Sequence, residues 1–362
     1  MNKEQIQLIQ SSYKGKKVFL TGHTGFKGSW LLYWLKQLGA EVKGYALHPD
    51  QSESLYNSMN GDSMCDSVIA DIRNKDRLSQ EIKEYQPDFV FHLAAQPLVR
   101  LSYEIPAETF EVNAVGTANV LDGIRHLKKS CIGVMITTDK VYENKEWHHP
   151  YRESDQLGGY DPYSASKACT ELVISSYRNS FLNPYDYQNH HKSIVSARAG
   201  NVIGGGDWAK DRIIPDIVKA LIGNRSIEVR NPKAVRPWQH VLEPLGGYLL
   251  LGAMLLKEPV KHSYSWNFGP QIEDNLDVES LVQTAIKVWG TGKYETQKQI
   301  NQPHEAGLLK LDISKAMAEL NWKPKWSAET TIEKTLSWYK KRLNGVSASE
   351  LLESDINSYS TN

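Results

Sequence analysis

Two short segments carry side chains whose types and spacing could do chemistry together. Thr138-Asp139-Lys140 sets a hydroxyl, a carboxyl and an amine side by side, and Tyr163-Ser164-Ala165-Ser166-Lys167 spaces a phenol and an amine four residues apart. Residues four apart share one helix face, so both can point at the same bound molecule. An unperturbed phenol titrates near pH ~10 and is a poor base at neutrality. A lysine ammonium beside it stabilises the phenolate and brings that value towards working pH. Tyr163 could then take a hydroxyl proton as hydride leaves the attached carbon, with the Thr138 hydroxyl bonding the same oxygen. Thr137 is the alternate, because strand alternation points one of the pair away. Asp139 and Lys140 add an acid and a potential base that a simple alcohol oxidation does not require.

Hydride needs an acceptor, and the chain has a loop suited to hold one. Gly22-His23-Thr24-Gly25-Phe26-Lys27-Gly28 falls between an expected strand and an expected helix. Glycines there permit a tight turn, close backbone approach to a pyrophosphate and tight helix–strand packing. His23 and Lys27 could add positive charge near the phosphates, or be solvated loop residues. An acid at the end of the second strand would hold a ribose 2′-hydroxyl. The chain reads Gly44-Tyr45-Ala46-Leu47-His48 there, without a carboxylate or an arginine. Asp71 and Ile72, after the third strand, are the adenine-side alternatives, and the missing arginine favours NAD over NADP.

These groups need elements to position them. Apolar runs at 17–21, 41–46, 67–70, 88–93, 133–137 and 193–197 alternate with helix-like stretches, notably 29–38, 106–126 and 163–180. Near-continuously apolar strands alternating with helices predict an α/β fold with a doubly wound parallel sheet. Thr138 then falls at the carboxyl end of the fifth strand, where such sheets bind ligands. Beyond about residue 200, Gly204-Gly205-Gly206, Asn231-Pro232, Arg236-Pro237 and Gly269-Pro270 break the chain often. The expected division is a dinucleotide-binding unit over 1–199, with part of 238–262 packing back onto it, and a smaller mixed α/β substrate unit over 200–343. The Ser-, Glu- and Asn-rich stretch 344–362 reads as a flexible tail.

Composition narrows the classes. Lysine plus arginine and aspartate plus glutamate number 42 each, so no global field recruits nucleic acid or an acidic membrane. Anionic ligands must be held by local arginines and backbone amides. Three widely spaced cysteines without a C-x-x-C pair read as reduced thiols, and no metal site is expected. The opening stretch lacks the apolar core of a signal peptide, and the longest apolar run, 249–256, is too short to span a bilayer. A cytoplasmic protein is expected.

These residues together carry a resemblance to the nucleotide-sugar 4,6-dehydratases of the extended short-chain dehydrogenase/reductase superfamily. It spans roughly 15–340 and rests on the glycine loop, His92-Leu93-Ala94-Ala95-Gln96, Asn113-Ala114-Val115-Gly116-Thr117, the Thr-Asp-Lys triplet, the Tyr163/Lys167 pair and Arg198-Ala199-Gly200-Asn201-Val202-Ile203-Gly204. Within this group the chain is most similar to the branch acting on CDP-glucose, which shares Thr-Gly-His-Thr-Gly-Phe-Lys-Gly, Thr-Thr-Asp-Lys-Val-Tyr and Gly204-Gly205-Gly206-Asp207-Trp208. The resemblance implies NAD held by the glycine loop, Asp71, Ile72, Leu93, Ala94, Ala95, Tyr163 and Lys167. It implies oxidation of the sugar C4 hydroxyl with Tyr163 as base, loss of the C5 proton and C6 hydroxyl, and hydride return to C6.

In the dTDP-glucose enzymes the acid and base are an adjacent Asp-Glu pair; here Asp139 matches the acid and Lys140 stands at the glutamate. A lysine base must be neutral, which calls for burial or neighbouring positive charge. Lys140 as a structural ion-pair partner is the alternative. Gln96, Asn201, Arg212, Arg236 and His304 are the expected substrate contacts, with Arg236 on the diphosphate. Helices around 113–126 and 163–180 resemble the pair through which such chains form homodimers or homotetramers. A 4-epimerase would share the loop and the Tyr/Lys pair but has no use for Asp139-Lys140. A non-catalytic NAD sensor has no use for intact Thr138, Tyr163 and Lys167.

Overall fold

The structure, a computed structural model, describes residues 1–49, 51–296 and 308–361. Its centre is a seven-stranded sheet: β1 (Lys17–Thr21), β2 (Glu41–Ala46), β3 (Asp66–Ile69), β4 (Phe89–His92), β5 (Cys131–Thr138), β6 (Lys192–Ala199) and an edge strand, Ser265–Phe268. The spatial order is edge strand, β6, β5, β4, β1, β2, β3, and every pairing is parallel. Every residue of β5 and β6 is buried, since helices cover both faces. The order reverses between β1 and β4, which opens a crevice at their carboxyl ends.

The six expected strands are all present: β5 and β6 run one or two residues further at each end, β4 is a residue shorter at each end, and β3 is shifted by one. The edge strand went unread: it is four residues long and sits among the glycine and proline breaks of the second half. The expected helix 106–126 is interrupted by a π-turn at Glu111–Val115 between helices Pro106–Phe110 and Gly116–Arg125. Buried Asn113 explains the widened turn. Its amide donates to the Ser166 hydroxyl (2.8 Å) and the Gln96 carbonyl (3.1 Å), while its own carbonyl accepts from Thr117 and Thr170.

Helix Leu242–Lys257 is buried on almost every side against β5, β6 and the N-terminal helix Lys3–Tyr13. Short strand pairs build the other wall of the crevice: Val202–Ile203 with Gln239–His240, Val235–Arg236 with Leu276–Asp277, and Ile227–Val229 with Tyr294–Thr296. Trp322 and Trp326 are packing residues, edge-on to Phe268 and His240. All three cysteines are free thiols. Among the described residues no helix is long and apolar enough to cross a membrane.

The C-terminal stretch corrects the expectation of a flexible tail. Ala348–Ser360 is a helix that opens with a Ser347/Glu350 capping box and buries Leu351, Leu352, Ile356 and Tyr359. The Tyr359 hydroxyl donates to the buried Glu243 carboxylate (2.7 Å), which also accepts the backbone N–H groups of Lys325 and Trp326. The polar composition masked a narrow apolar stripe whose partners include helix Phe26–Gln37, far away in the chain.

Candidate active site

A single cleft of about 1590 Å³ runs along the carboxyl ends of the strands and gathers the glycine loop, the reacting residues and the second wall. At one end Gly22 turns the chain with φ +74°, and a Cβ there would lie 2.7 Å from the Ala94 nitrogen. A Cβ on Gly28 would lie 1.9 Å from the Gly22 carbonyl oxygen. Only glycine fits these two positions. Gly25 has more room and begins helix Phe26–Gln37 without a side-chain cap, so the helix N-terminus is open to an anion. Thr24 and the Leu93-Ala94-Ala95 turn line the same end. The amides of Leu93 and Ala94 are tied to the Thr21 hydroxyl (3.1 and 3.2 Å). Asp71 and Ile72 also line it. The Asp71 carboxylate is gripped by Arg73 at 2.7 and 3.0 Å, which holds it below the usual carboxylate range.

His23 departs from expectation. It is fully buried and absent from the cleft lining, with its ring over Gly44, where a Cβ would come within 2.5 Å of it. Its Nε2 meets the Ser67 hydroxyl at 2.8 Å, and burial lowers its pKa to about 4. It is neutral at pH 7 and adds no charge beside a phosphate. Lys27 does line the cleft. Burial first, then Arg212 and Lys167, bring its ammonium down to about 7.

The expected reacting residues converge. Helix Pro162–Ser180 starts on an Asp161 cap, whose carboxylate accepts the Ser164 N–H at 2.9 Å. That start sets Tyr163 and Lys167 on one face beside the end of β5. The Thr138 hydroxyl lies beside the Tyr163 phenol and favours its ionised form, while Thr137 donates its hydroxyl to Glu171 (2.5 Å). The alternation question is thereby answered in favour of Thr138. The Lys167 ammonium donates to the Ile136 carbonyl at 3.2 Å. In the protein alone, burial pushes the Tyr163 phenol up to about 12, opposed by the nearby Thr138 hydroxyl and Arg212.

Asp139 is 1% exposed, and Thr138 donates to its Oδ1 at 2.9 Å. Its Oδ2 is buried with no hydrogen-bond partner among the described residues and faces Gly200, where a Cβ would sit 3.2 Å away. Burial raises its pKa against the opposing pull of Lys140, Thr138, Arg236 and Lys27. A carboxyl favoured in its protonated form suits a proton donor. Lys140 is half-buried, with Nζ 5.9 Å from the centre of the Tyr163 ring.

On the second wall, Arg212 lines the cleft and pairs with Asp207 at 2.9 Å. Arg236 donates to the Val235 carbonyl at 3.0 Å and acts on Asp139 across the cleft. Asn201 lines the same stretch, its carbonyl held by the Gln239 N–H. Gln96 is turned to structural work: its amide donates to Leu98 and Thr109 and accepts from Leu98. Expected as a substrate contact, it has both amide donors engaged by the protein. His304 lies outside the described residues. Among those described, no group of three or more His, Cys, Asp or Glu side chains could hold a metal.

Three features went unread in the sequence: the Asn113 π-turn, the Glu171–Arg198 pair behind Lys167, and buried Tyr248 against Lys27. No local pattern marks them, since each depends on partners distant in the chain.

Comparison with known proteins agrees with this architecture. The family model for GDP-mannose 4,6 dehydratase matches residues 19–335. A CDP-glucose 4,6-dehydratase from Salmonella typhimurium is 49% identical over 92% of this chain and 93% of its own length. A CDP-paratose 2-epimerase from Salmonella typhi is 26% identical over 89% of this chain and 98% of its own. Among solved structures, dTDP-glucose 4,6-dehydratase from Streptomyces venezuelae with NAD bound superposes with a TM-score of 0.77 at 21% identity, covering 91% of this chain and 98% of that one. The chain belongs to the GDP-mannose 4,6-dehydratase family.

Proposed function

We propose that this chain is a CDP-glucose 4,6-dehydratase, an NAD-dependent hydro-lyase releasing water and a 4-keto-6-deoxy sugar nucleotide. The observation that carries the reading is the placement of a buried carboxyl and a lysine, Asp139-Lys140, beside the Tyr163/Lys167 pair at the end of β5. The 49% identical relative supplies the substrate. The glycine cradle fits a dinucleotide, since Gly22 and Gly28 leave room for backbone only and Gly25 leaves a helix start uncapped. Bound there, NAD supplies the hydride acceptor and the returning hydride.

The chain's own groups do the rest. Tyr163, with Lys167 behind it, takes the proton from the C4 hydroxyl, and Thr138 orients that oxygen. Lys140 removes the C5 proton made acidic by the new ketone. Asp139 gives its proton to the departing C6 hydroxyl. Arg236, Arg212 and Asn201 face the diphosphate, giving a neutral protein the local positive charge it needs. Exposed Val115 and Leu172 on the helices flanking the site suit a homo-oligomer, and we place the protein in the cytoplasm.

The test is incubation with CDP-, UDP-, dTDP- and GDP-glucose and with GDP-mannose, followed by mass measurement. Loss of one water from CDP-glucose without added reductant is the expected result. An unchanged mass with an inverted C4 would make the chain a 4-epimerase instead.

A further inference from the structure

Behind the reacting centre one carboxylate collects donors from three strands. Glu171 Oε1 accepts the Thr137 hydroxyl of β5 at 2.5 Å. Its Oε2 accepts the Ser196 hydroxyl (2.8 Å) and the Arg198 guanidinium (2.8 Å) of β6, and the Ser265 hydroxyl of the edge strand at 3.5 Å. Arg198 passes the link on, donating to the Tyr142 hydroxyl (2.9 Å) and the Glu153 carbonyl (3.0 Å). Glu171 and Arg198 are 2% and 3% exposed. No step of the reaction uses either of them.

The position of Glu171 is informative. It stands four residues after Lys167 on helix Pro162–Ser180, one turn along the same face. The Lys167 ammonium holds the Ile136 carbonyl, and Glu171 holds the Thr137 side chain, so helix and strand are clamped at consecutive residues just before Thr138. We propose that Glu171 is a positioning residue of the reacting centre, whose carboxylate keeps the Lys167 ammonium charged behind Tyr163 and pins the strand end that carries Thr138. The inference rests on the oxidation roles given above to Tyr163 and Lys167.

The surrounding charges agree. Facing Lys167 are Lys27 from the glycine loop, His92 from β4, and Tyr163 and Glu171 from its own helix. Lys27 is cationic or neutral near pH 7, and burial keeps His92 uncharged. Behind Glu171 stand Arg198 on β6 and Arg178 on the helix. Burial lowers the Lys167 ammonium to about 8, and Glu171 is the opposing influence that raises it. Burial alone would raise the Glu171 carboxyl, but Arg198, Thr137 and Ser196 more than reverse that and hold it below its ordinary range. A buried ion pair is a weak source of stability, so a merely structural strut could be replaced by neutral groups without consequence for Lys167.

That difference is measurable. Glu171→Gln leaves Arg198 buried without its counter-ion and can unfold the chain, so the pair is also removed together as E171Q/R198M. Full-length protein free of cofactor, labelled with carbon-13 at lysine Cε, is titrated by NMR, with the Lys167 signal assigned by its loss in K167M. The Lys167 midpoint should fall by about one unit in E171Q, a tenfold change in its protonation equilibrium, and fall less in the double variant. The alkaline limb of single-turnover reduction of bound NAD should move down in pH in step. A midpoint unmoved from wild type in the folded double variant overturns the proposal. The titration needs no turnover, so a wild type that removes water from no sugar nucleotide would defeat the dehydratase reading separately.

Discussion

Replacing Asp139 with asparagine should separate the two halves of the reaction. The side chain is isosteric, and the asparagine carbonyl can keep the Thr138 hydrogen bond that Oδ1 accepts at 2.9 Å. What disappears is the transferable proton. A positioned general acid contributes roughly 10²–10⁴-fold, about 2.7–5.4 kcal/mol of barrier, so elimination should slow by that factor. Oxidation at C4, assigned above to Tyr163 and Lys167, should stay within about threefold of wild type, under ~0.7 kcal/mol.

Stability should move the other way. Burial raises the Asp139 pKa, so the folded state disfavours the charged form. The cost is absent below the unfolded value near ~4 and grows as pH rises through the folded value. The neutral amide avoids it, so Asp139→Asn should match or exceed the wild-type Tm at pH 8. Stopped-flow absorbance of the bound reduced nicotinamide reads the first half, and mass loss of water reads the second. The expected trace is a rapid rise that persists, where wild type shows a transient. Equal slowing of both phases, or a kcat within threefold of wild type, would refute Asp139 as the acid.

Other outcomes follow from the same structure. Lys140→Met should abolish deuterium exchange at C5 yet preserve reduction of bound NAD; retained exchange would remove Lys140 from the base role. Lys27, with its ammonium near 7, is charged below that pH and neutral above it. NAD affinity should therefore weaken as pH rises from 6 to 8.5, and calorimetry on Lys27→Met should show a flat profile. Gly28→Ala drives a methyl to 1.9 Å from the Gly22 oxygen. It should lower Tm and weaken NAD binding at least tenfold, ~1.4 kcal/mol. Truncation after Gly345 removes five buried side chains from the core, four of them large. At ~1.5–3 kcal/mol for each large apolar one, loss of soluble folded protein is expected, whereas a tail free of the core would be dispensable.

Features that depend on neighbours in the chain were legible in the sequence. The glycine loop, the Tyr163/Lys167 spacing and the alternation of apolar strands with helices are local patterns, set by sterics and by helix and strand periodicity. They sufficed for six of the seven strands, for placing Thr138, Tyr163 and Lys167 at the carboxyl edge of the sheet and for the family. Tertiary packing decided what each side chain became. His23 reads as a loop cation until the missing Cβ of Gly44 gives its ring a place to bury. Gln96 reads as a ligand contact until Thr109 and Leu98 take its amide. The last helix reads as a tail until Glu243 receives Tyr359. Asp139 gains a buried, unpartnered oxygen because Gly200, sixty-one residues on, lacks a side chain. Burial and electrostatic field are properties of groups brought together from far along the chain, and local sequence does not carry them.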